Sequence, residues 1–313
     1  MLDVANVAGV QIANVASGDI SSSILLSMAH RLNKVVCNDP TMAGAVVTHG
    51  TDTLEETAFF LDATVTCGKP IVIVGAMRPA TAISADGPFN LLQSVTVAAS
   101  SEARNRGALV VMNDRIASAY YVSKTNANTM DTFKAVEMGY LGAIVSNTPY
   151  FFYPPVLPTG KTVLDVSDVI SIPRVDILYS YQDMSNDTLF SAVENGAKGV
   201  VVRTAILRPT LLYLSSIISP IYTNQICLSQ IAGSGAGAVN TVFSTAISSL
   251  VIKDHFPIVQ STRTGNGEVP YSEAGGISSG FLSPPKARIL LGLLLAKGQK
   301  VEEIRAAFGK AGV

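Results

Sequence analysis

Read for apolar and polar positions, the chain falls into short β-branched runs separated by longer stretches with helical spacing. The clearest unit is residues 45–61, AVVTHGTDTLEETAFFL. Residues 45–48 predict a buried strand. His49, Gly50, Thr51 and Asp52 then interrupt the pattern with no apolar side chain of any size among them. Thr53 and Glu56 have capping-box spacing ahead of Ala58, Phe59 and Leu61, so a helix is expected to start there. Elsewhere, residues 9–15 alternate loosely and read as a strand. Residues 24–37 carry Leu25, Leu26, Met28, Leu32, Val35 and Val36 at helical spacing. Residues 70–74 and 107–112 read as further strands, and 90–102 as a helix entered through the Asp86-Gly87-Pro88 turn. Strands alternating with helices of this length predict βαβ units, hence an α/β fold with a doubly wound, mostly parallel sheet.

The pattern lapses where Pro154, Pro155, Pro158, Gly160 and Pro173 cluster. We therefore expect a first domain over 1–153, a linker over 154–173 and a smaller α/β domain over 174–313. In the latter, 175–179, 199–202 and 257–260 read as strands. Helices are expected near 187–195, up to about 251, and near 285–295 and 301–308.

Composition narrows the function classes. A net charge of −1 with 14% charged residues gives no electrostatic case for nucleic acid or an anionic membrane as partner. The apolar content is 48% with no long apolar run, as expected of a soluble protein of 313 residues. Cys37, Cys67 and Cys227 are too few and scattered for a disulfide framework, and His30, His49 and His255 lack ligand spacing, so neither metal nor cofactor is expected. The first twelve residues show no secretory signal. The expected location is cytoplasmic for the chain as written, or secreted or periplasmic-like if a preceding segment carries a signal.

The polar turn after residue 48 sits where open α/β sheets bind ligands, at the carboxyl end of a strand and next to helix N–H groups. A Thr and an Asp there are ordinarily caps. With Thr53 in the cap position, Thr51 and Asp52 are left without a local task. Gly233-x-Gly235-x-Gly237 suggests a phosphate loop, but it lacks the Lys-Ser/Thr of a P-loop and an acidic residue some twenty positions on.

Several blocks carry a family resemblance. VVTHGTDTLEETAFFL, Gly75-Ala76-Met77-Arg78-Pro79, Ser84-Ala85-Asp86-Gly87-Pro88-Phe89-Asn90-Leu91 and Val122-Ser123-Lys124-Thr125-Asn126 occur in order. Together they resemble the bacterial-type L-asparaginase and glutaminase-asparaginase family. The resemblance implies hydrolysis of the side-chain amide of L-asparagine, and often L-glutamine, through a threonine nucleophile and an acyl-enzyme. It implies a catalytic group of Thr51, Asp52 and Lys124. A hydroxyl is a poor nucleophile without a partner for its proton, and a lysine fills that role only as the neutral amine. Asp52 either orients Lys124 or meets the substrate's ammonium. Without the motif, Lys124 would read as a solvated surface charge.

The resemblance further implies that Ser17 binds the substrate carboxylate, with Asp19 nearby and with Gly18 at the carboxylate position where the family usually has Gln or a similar donor, and that Gly50 and Ala76 hold the scissile amide. Met77, Arg78 and Asp86 read as scaffold, an Arg–Asp pair bracing the loop. A homotetramer is implied, with active sites shared between subunits.

The chain departs from the family pattern in two places. The family's first strand, its Thr-Gly-Gly-Thr-Ile turn with a first catalytic threonine (the family's primary nucleophile), and its tyrosine-bearing loop have no match. Residues 203–230 are added where the family passes almost directly from strand to the AGxGxG turn, far beyond the usual βα connection. An incomplete gene model accounts for both; a true insertion is the other reading. At the family's Asn position stands Ala236, and the intersubunit Glu is Glu268 or Glu273. A catalytically inactive paralogue that binds an amino acid or a partner subunit is the alternative function.

Overall fold

The computed structural model describes residues 4–204, 239–270 and 276–311, and its contacts divide the chain into two units. One takes Met1–Pro173 with Ile289–Lys300, the other Arg174–Arg288 with Val301–Gly312.

The first unit starts with a 3₁₀ turn at Ser17–Asp19 and α1 (Ser22–Arg31), which runs on as π-helical turns over Leu32–Cys37. It continues through β1 (Ala45–Thr48), α2 (Leu54–Thr64), β2 (Ile71–Val74), α3 (Gly87–Ala99) and β3 (Ala108–Met112). Then come β4 (Arg115–Ser118), β5 (Ser123–Lys124), β6 (Phe133–Lys134), β7 (Gly142–Val145) and β8 (Thr148–Phe151). The main sheet has the order β1-β2-β3-β4-β7-β8, while β5 and β6 form a separate antiparallel pair.

The sheet is parallel across β1, β2 and β3, where helices make the crossovers, and antiparallel beyond. Asn113-Asp114 and Ser146-Asn147 turn the antiparallel strands with positive φ at all four residues. That backbone matches the twist of the strands it joins. Strands β2 and β3 are buried along their whole length, and Leu54, Phe59, Phe60 and Leu61 of α2 are sealed against the core. Each such side chain contributes about 1.5–3 kcal/mol of burial.

Four expectations need correcting. Residues 9–15 form no strand: Val10 and Val15 are 57% and 50% exposed, so the alternation there has no face to bury. Helix α3 begins at Gly87 rather than Asn90, because Pro88, whose ring presets φ, fits its first turn. Thr53 occupies the cap position of α2 without a side-chain cap bond. Its hydroxyl donates instead to the Ser17 carbonyl at 2.7 Å, so the Thr53 half of the capping box does not form. Finally, Cys37 and Cys67 are joined as a disulfide with a Cα–Cα distance of 5.6 Å.

Residues 154–173 pack on the first unit. Val166 and Val169 are buried, Leu164 N donates to Ala63 O, and Lys161 Nζ meets Asp62 Oδ1 at 2.7 Å with both side chains almost fully buried. Asp62 Oδ1 also accepts from Ala108 N. Gly107, at φ +73, passes so close that a Cβ there would lie 2.6 Å from Lys161 Nζ.

The second unit holds β9 (Val175–Tyr179), α4 (Asp187–Glu194), β10 (Gly199–Thr204), α5 (Thr241–Asp254), β11 (Ile258–Thr262), β12 (Ile277–Ser278) and α7 (Val301–Ala311); α6 (Pro284–Ala296) precedes α7. Its sheet, ordered β12-β11-β10-β9, is parallel throughout. Leu189, Val200, Val202, Phe243, Ile247 and Ile258 form its core. Of the segment 203–230, Arg203 and Thr204 end β10. Its remainder lies outside the described residues, as do Gly233-x-Gly235-x-Gly237, Ala236 and Glu273. No described helix is long and apolar enough to cross a membrane.

Candidate active site

Thr51 and Asp52 sit in the turn that leaves β1 and enters α2. The frame under that turn is stiff. Thr48 pairs with Val74 across the ladder, and His49 N donates to Val74 O at 2.8 Å, so the ends of β1 and β2 stay in register. The His49 ring lies 2.7 Å from Gly50 O through Nδ1 and 2.8 Å from Thr57 Oγ1 through Nε2. A neutral ring that donates to the carbonyl and accepts from the hydroxyl satisfies both. Burial pushes the imidazole below its ordinary value, with the Gly50 carbonyl and Glu56 opposing.

Two glycines let backbone approach the turn closely. A Cβ on Gly75 would lie 3.0 Å from Thr51 Cγ2 and 2.9 Å from the His49 carbonyl. A Cβ on Gly50 would lie 3.0 Å from Ser17 Oγ. Ser17 is buried, and the Thr53 hydroxyl holds its carbonyl, so the 3₁₀ turn is tied to the start of α2.

Lys124 arrives from the β5–β6 hairpin. Its Nζ donates to Thr51 Oγ1 at 3.0 Å and to Asp52 Oδ1 at 2.7 Å. The Lys124 side chain is 15% exposed and that of Asp52 is 82% exposed. The amine is thus shielded at the hydroxyl, while the carboxylate faces water and the pairing is screened on that side. The hydrogen bond from Lys124, and then its charge, hold the Asp52 carboxyl below the usual carboxylate range.

Loop 76–86 is braced differently from expectation. Asp86 accepts from Met77 N and Arg78 N at 2.9 Å each, and Asn90 Nδ2 donates to Gly75 O at 3.1 Å. The Arg78 guanidinium donates to Ser84 O, so the brace is carboxylate to backbone rather than an Arg–Asp pair.

Of the residues singled out from sequence, Thr51, Asp52 and Lys124 meet through direct bonds, and Ser17 and Gly50 pack beside them. Gly18 and Ala76 are exposed, one residue beyond Ser17 and Gly75 respectively. Sequence reasoning missed His49, Thr53, Thr57 and Glu55. The Glu55 carboxylate accepts from the backbone amide of Lys124. An acid in the first turn of a helix ordinarily signals only the helix dipole, so its longer reach left no mark in the pattern. Among the described residues, no group of three or more His, Cys, Asp or Glu is placed to hold a metal ion.

The arrangement presents a hydroxyl with an amine at hydrogen-bond distance and a carboxylate orienting that amine. A hydroxyl so placed can serve as an oxygen nucleophile only once the amine beside it is free to accept its proton.

Residues 1–157 match the family model described as asparaginase, N-terminal, and residues 231–308 match that of the glutaminase/asparaginase C-terminal domain. The chain is 42% identical over 307 residues to a Schizosaccharomyces pombe protein named probable L-asparaginase 4, covering 97% of this chain and 77% of that one. It is 44% identical over 314 residues to L-asparaginase 2 of Bacillus subtilis, covering 99% and 76%. Among solved structures, it is similar to the probable cytoplasmic L-asparaginase from Campylobacter jejuni. The TM-score is 0.84 at 36% identity, covering 99% of this chain and 92% of the other.

Proposed function

The chain belongs to the asparaginase family, and on that premise we propose that it hydrolyses the side-chain amide of L-asparagine to aspartate and ammonia, with L-glutamine as a secondary substrate. The observation that carries the reading is the pair of bonds from Lys124 Nζ to Thr51 Oγ1 and Asp52 Oδ1. In the proposed sequence Thr51 Oγ1 attacks the amide carbon while its proton passes to Lys124 Nζ, which relays a proton to Asp52. The C–N bond breaks as the departing nitrogen takes that proton back through Lys124 and leaves as ammonia. Water then attacks the Thr51 ester by the reverse relay and releases aspartate.

Ser17 and Gly18 are assigned to the substrate's α-carboxylate, and Gly50 and Ala76 to the amide. Support comes from the close packing of Gly50 on Ser17 and of Gly75, the neighbour of Ala76, on Thr51. A homotetramer belongs to the same proposal and is tested by light scattering.

Ammonia release from asparagine by the purified protein tests the activity, and Thr51→Ala should lower kcat by about 10³-fold or more. A second reading, amino-acid binding without turnover, is favoured by one feature: in the ion pair with Asp52 the amine already donates to Thr51 rather than accepting from it. Aspartate binding by calorimetry with no ammonia released would select it.

A further inference from the structure

Lys124 has a long side chain on a slight support. Strand β5 is two residues long, and among the described residues its only ladder partner is β6, apart from the sheet that carries Thr51. Residues 125–129 beyond it are exposed. A lysine anchored only through Nζ would sample several rotamers, and ordering them opposes catalysis. The structure supplies a second anchor at the other end of the residue, where the Glu55 carboxylate accepts from Lys124 N. Glu55 stands in the first turn of α2, three positions after Asp52, so one short stretch reaches Lys124 twice. Asp52 takes the amine and Glu55 takes the backbone.

We infer that Glu55 is a positioning residue, which fixes the backbone of Lys124 so that its Nζ stays at bonding distance from Thr51 Oγ1. The inference rests on the amidohydrolase reading for its kinetic consequence. Its geometric content, a carboxylate-bound Lys124 amide, stands apart from that reading.

The test compares Glu55→Gln and Glu55→Ala. The glutamine oxygen still accepts from the amide, whereas alanine removes the acceptor. Glu55→Ala should lower kcat for asparagine by about 10- to 100-fold with KM within about twofold, since small displacements of a catalytic group act on that scale. Glu55→Gln should keep kcat within about threefold. A role confined to helix charge would make glutamine behave like alanine, and that result overturns the inference, as does a wild-type kcat for Glu55→Ala.

Amide hydrogen exchange, read by NMR on lysine-15N-labelled protein, separates this from failure of the functional reading. Exchange at Lys124 should quicken at least tenfold in Glu55→Ala and stay near wild type in Glu55→Gln, whether or not ammonia is released. Unchanged exchange in Glu55→Ala overturns the inference by itself.

Discussion

Removing the Cys37–Cys67 crosslink perturbs the candidate site without touching it. The bridge spans 30 positions and encloses β1, the turn and all of α2, the segment bearing Thr51, Asp52 and Glu55. Opening it returns loop-closure entropy to the unfolded chain. For that length the chain-entropy relation gives about 12 cal/mol/K, or about 3.6 kcal/mol at 25 °C. A unit of this size unfolds in urea with a slope of about 2–3 kcal/mol/M, so the Cys37→Ser/Cys67→Ser variant should lose roughly 1–2 M in its midpoint. The chain has no tryptophan, so tyrosine emission and far-UV circular dichroism are the probes. Reduction of the wild type with dithiothreitol should reproduce the shift. A midpoint change below about 0.3 M, or thiol titration of unreduced denatured protein finding both cysteines free, refutes the reasoning.

Three further outcomes are expected. Asp62→Asn or Lys161→Met alone should destabilise the first unit by about 3–5 kcal/mol, since each leaves a buried charge unpaired. The double variant should recover more than half of that loss in urea unfolding, and additive losses would contradict the pairing. Asp52 should titrate below its ordinary value of 3.8 by carbon-detected NMR and move back toward it in Lys124→Met. Because its folded value is depressed, the stability it contributes is present above 3.8 and is lost as pH falls through the lower folded value. His49, also lowered, should be mainly neutral at pH 6.5 in nitrogen-correlated spectra, with stability falling as pH drops below 6.5 toward the folded value. A His49 that titrates at or above 6.5 would contradict its burial.

Much of the fold is written in local pattern. The β-branched runs at β2 and β3 and the helical spacing of α1 and α3 are legible because each buries an apolar face. The strand at β1 is legible too, but its expected burial is not met: as the edge strand among the described residues it is half-buried over Ala45–Val47 and exposed at Thr48. The antiparallel half of the sheet is less so. Strands β4, β7 and β8 are four residues each, and their turns, Asn113-Asp114 and Ser146-Asn147, reach positive φ without the glycine that usually announces a hairpin. The cysteine pairing depends on α1 and α2 lying side by side, which spacing along the chain does not reveal. At the candidate site, Thr51, Asp52 and Lys124 were readable through family motifs. Thr53 and Glu55 were not, because each has an ordinary helix-start explanation that the tertiary contacts override.

The meeting of hydroxyl, carboxylate and amine is tested most directly by turnover of asparagine in Lys124→Met, with far-UV circular dichroism establishing that the fold is kept. Loss of the proton carrier should lower kcat by about 10²–10⁴-fold, while the dichroism stays at wild type. A folded Lys124→Met variant that releases ammonia at the wild-type rate would contradict the assignment.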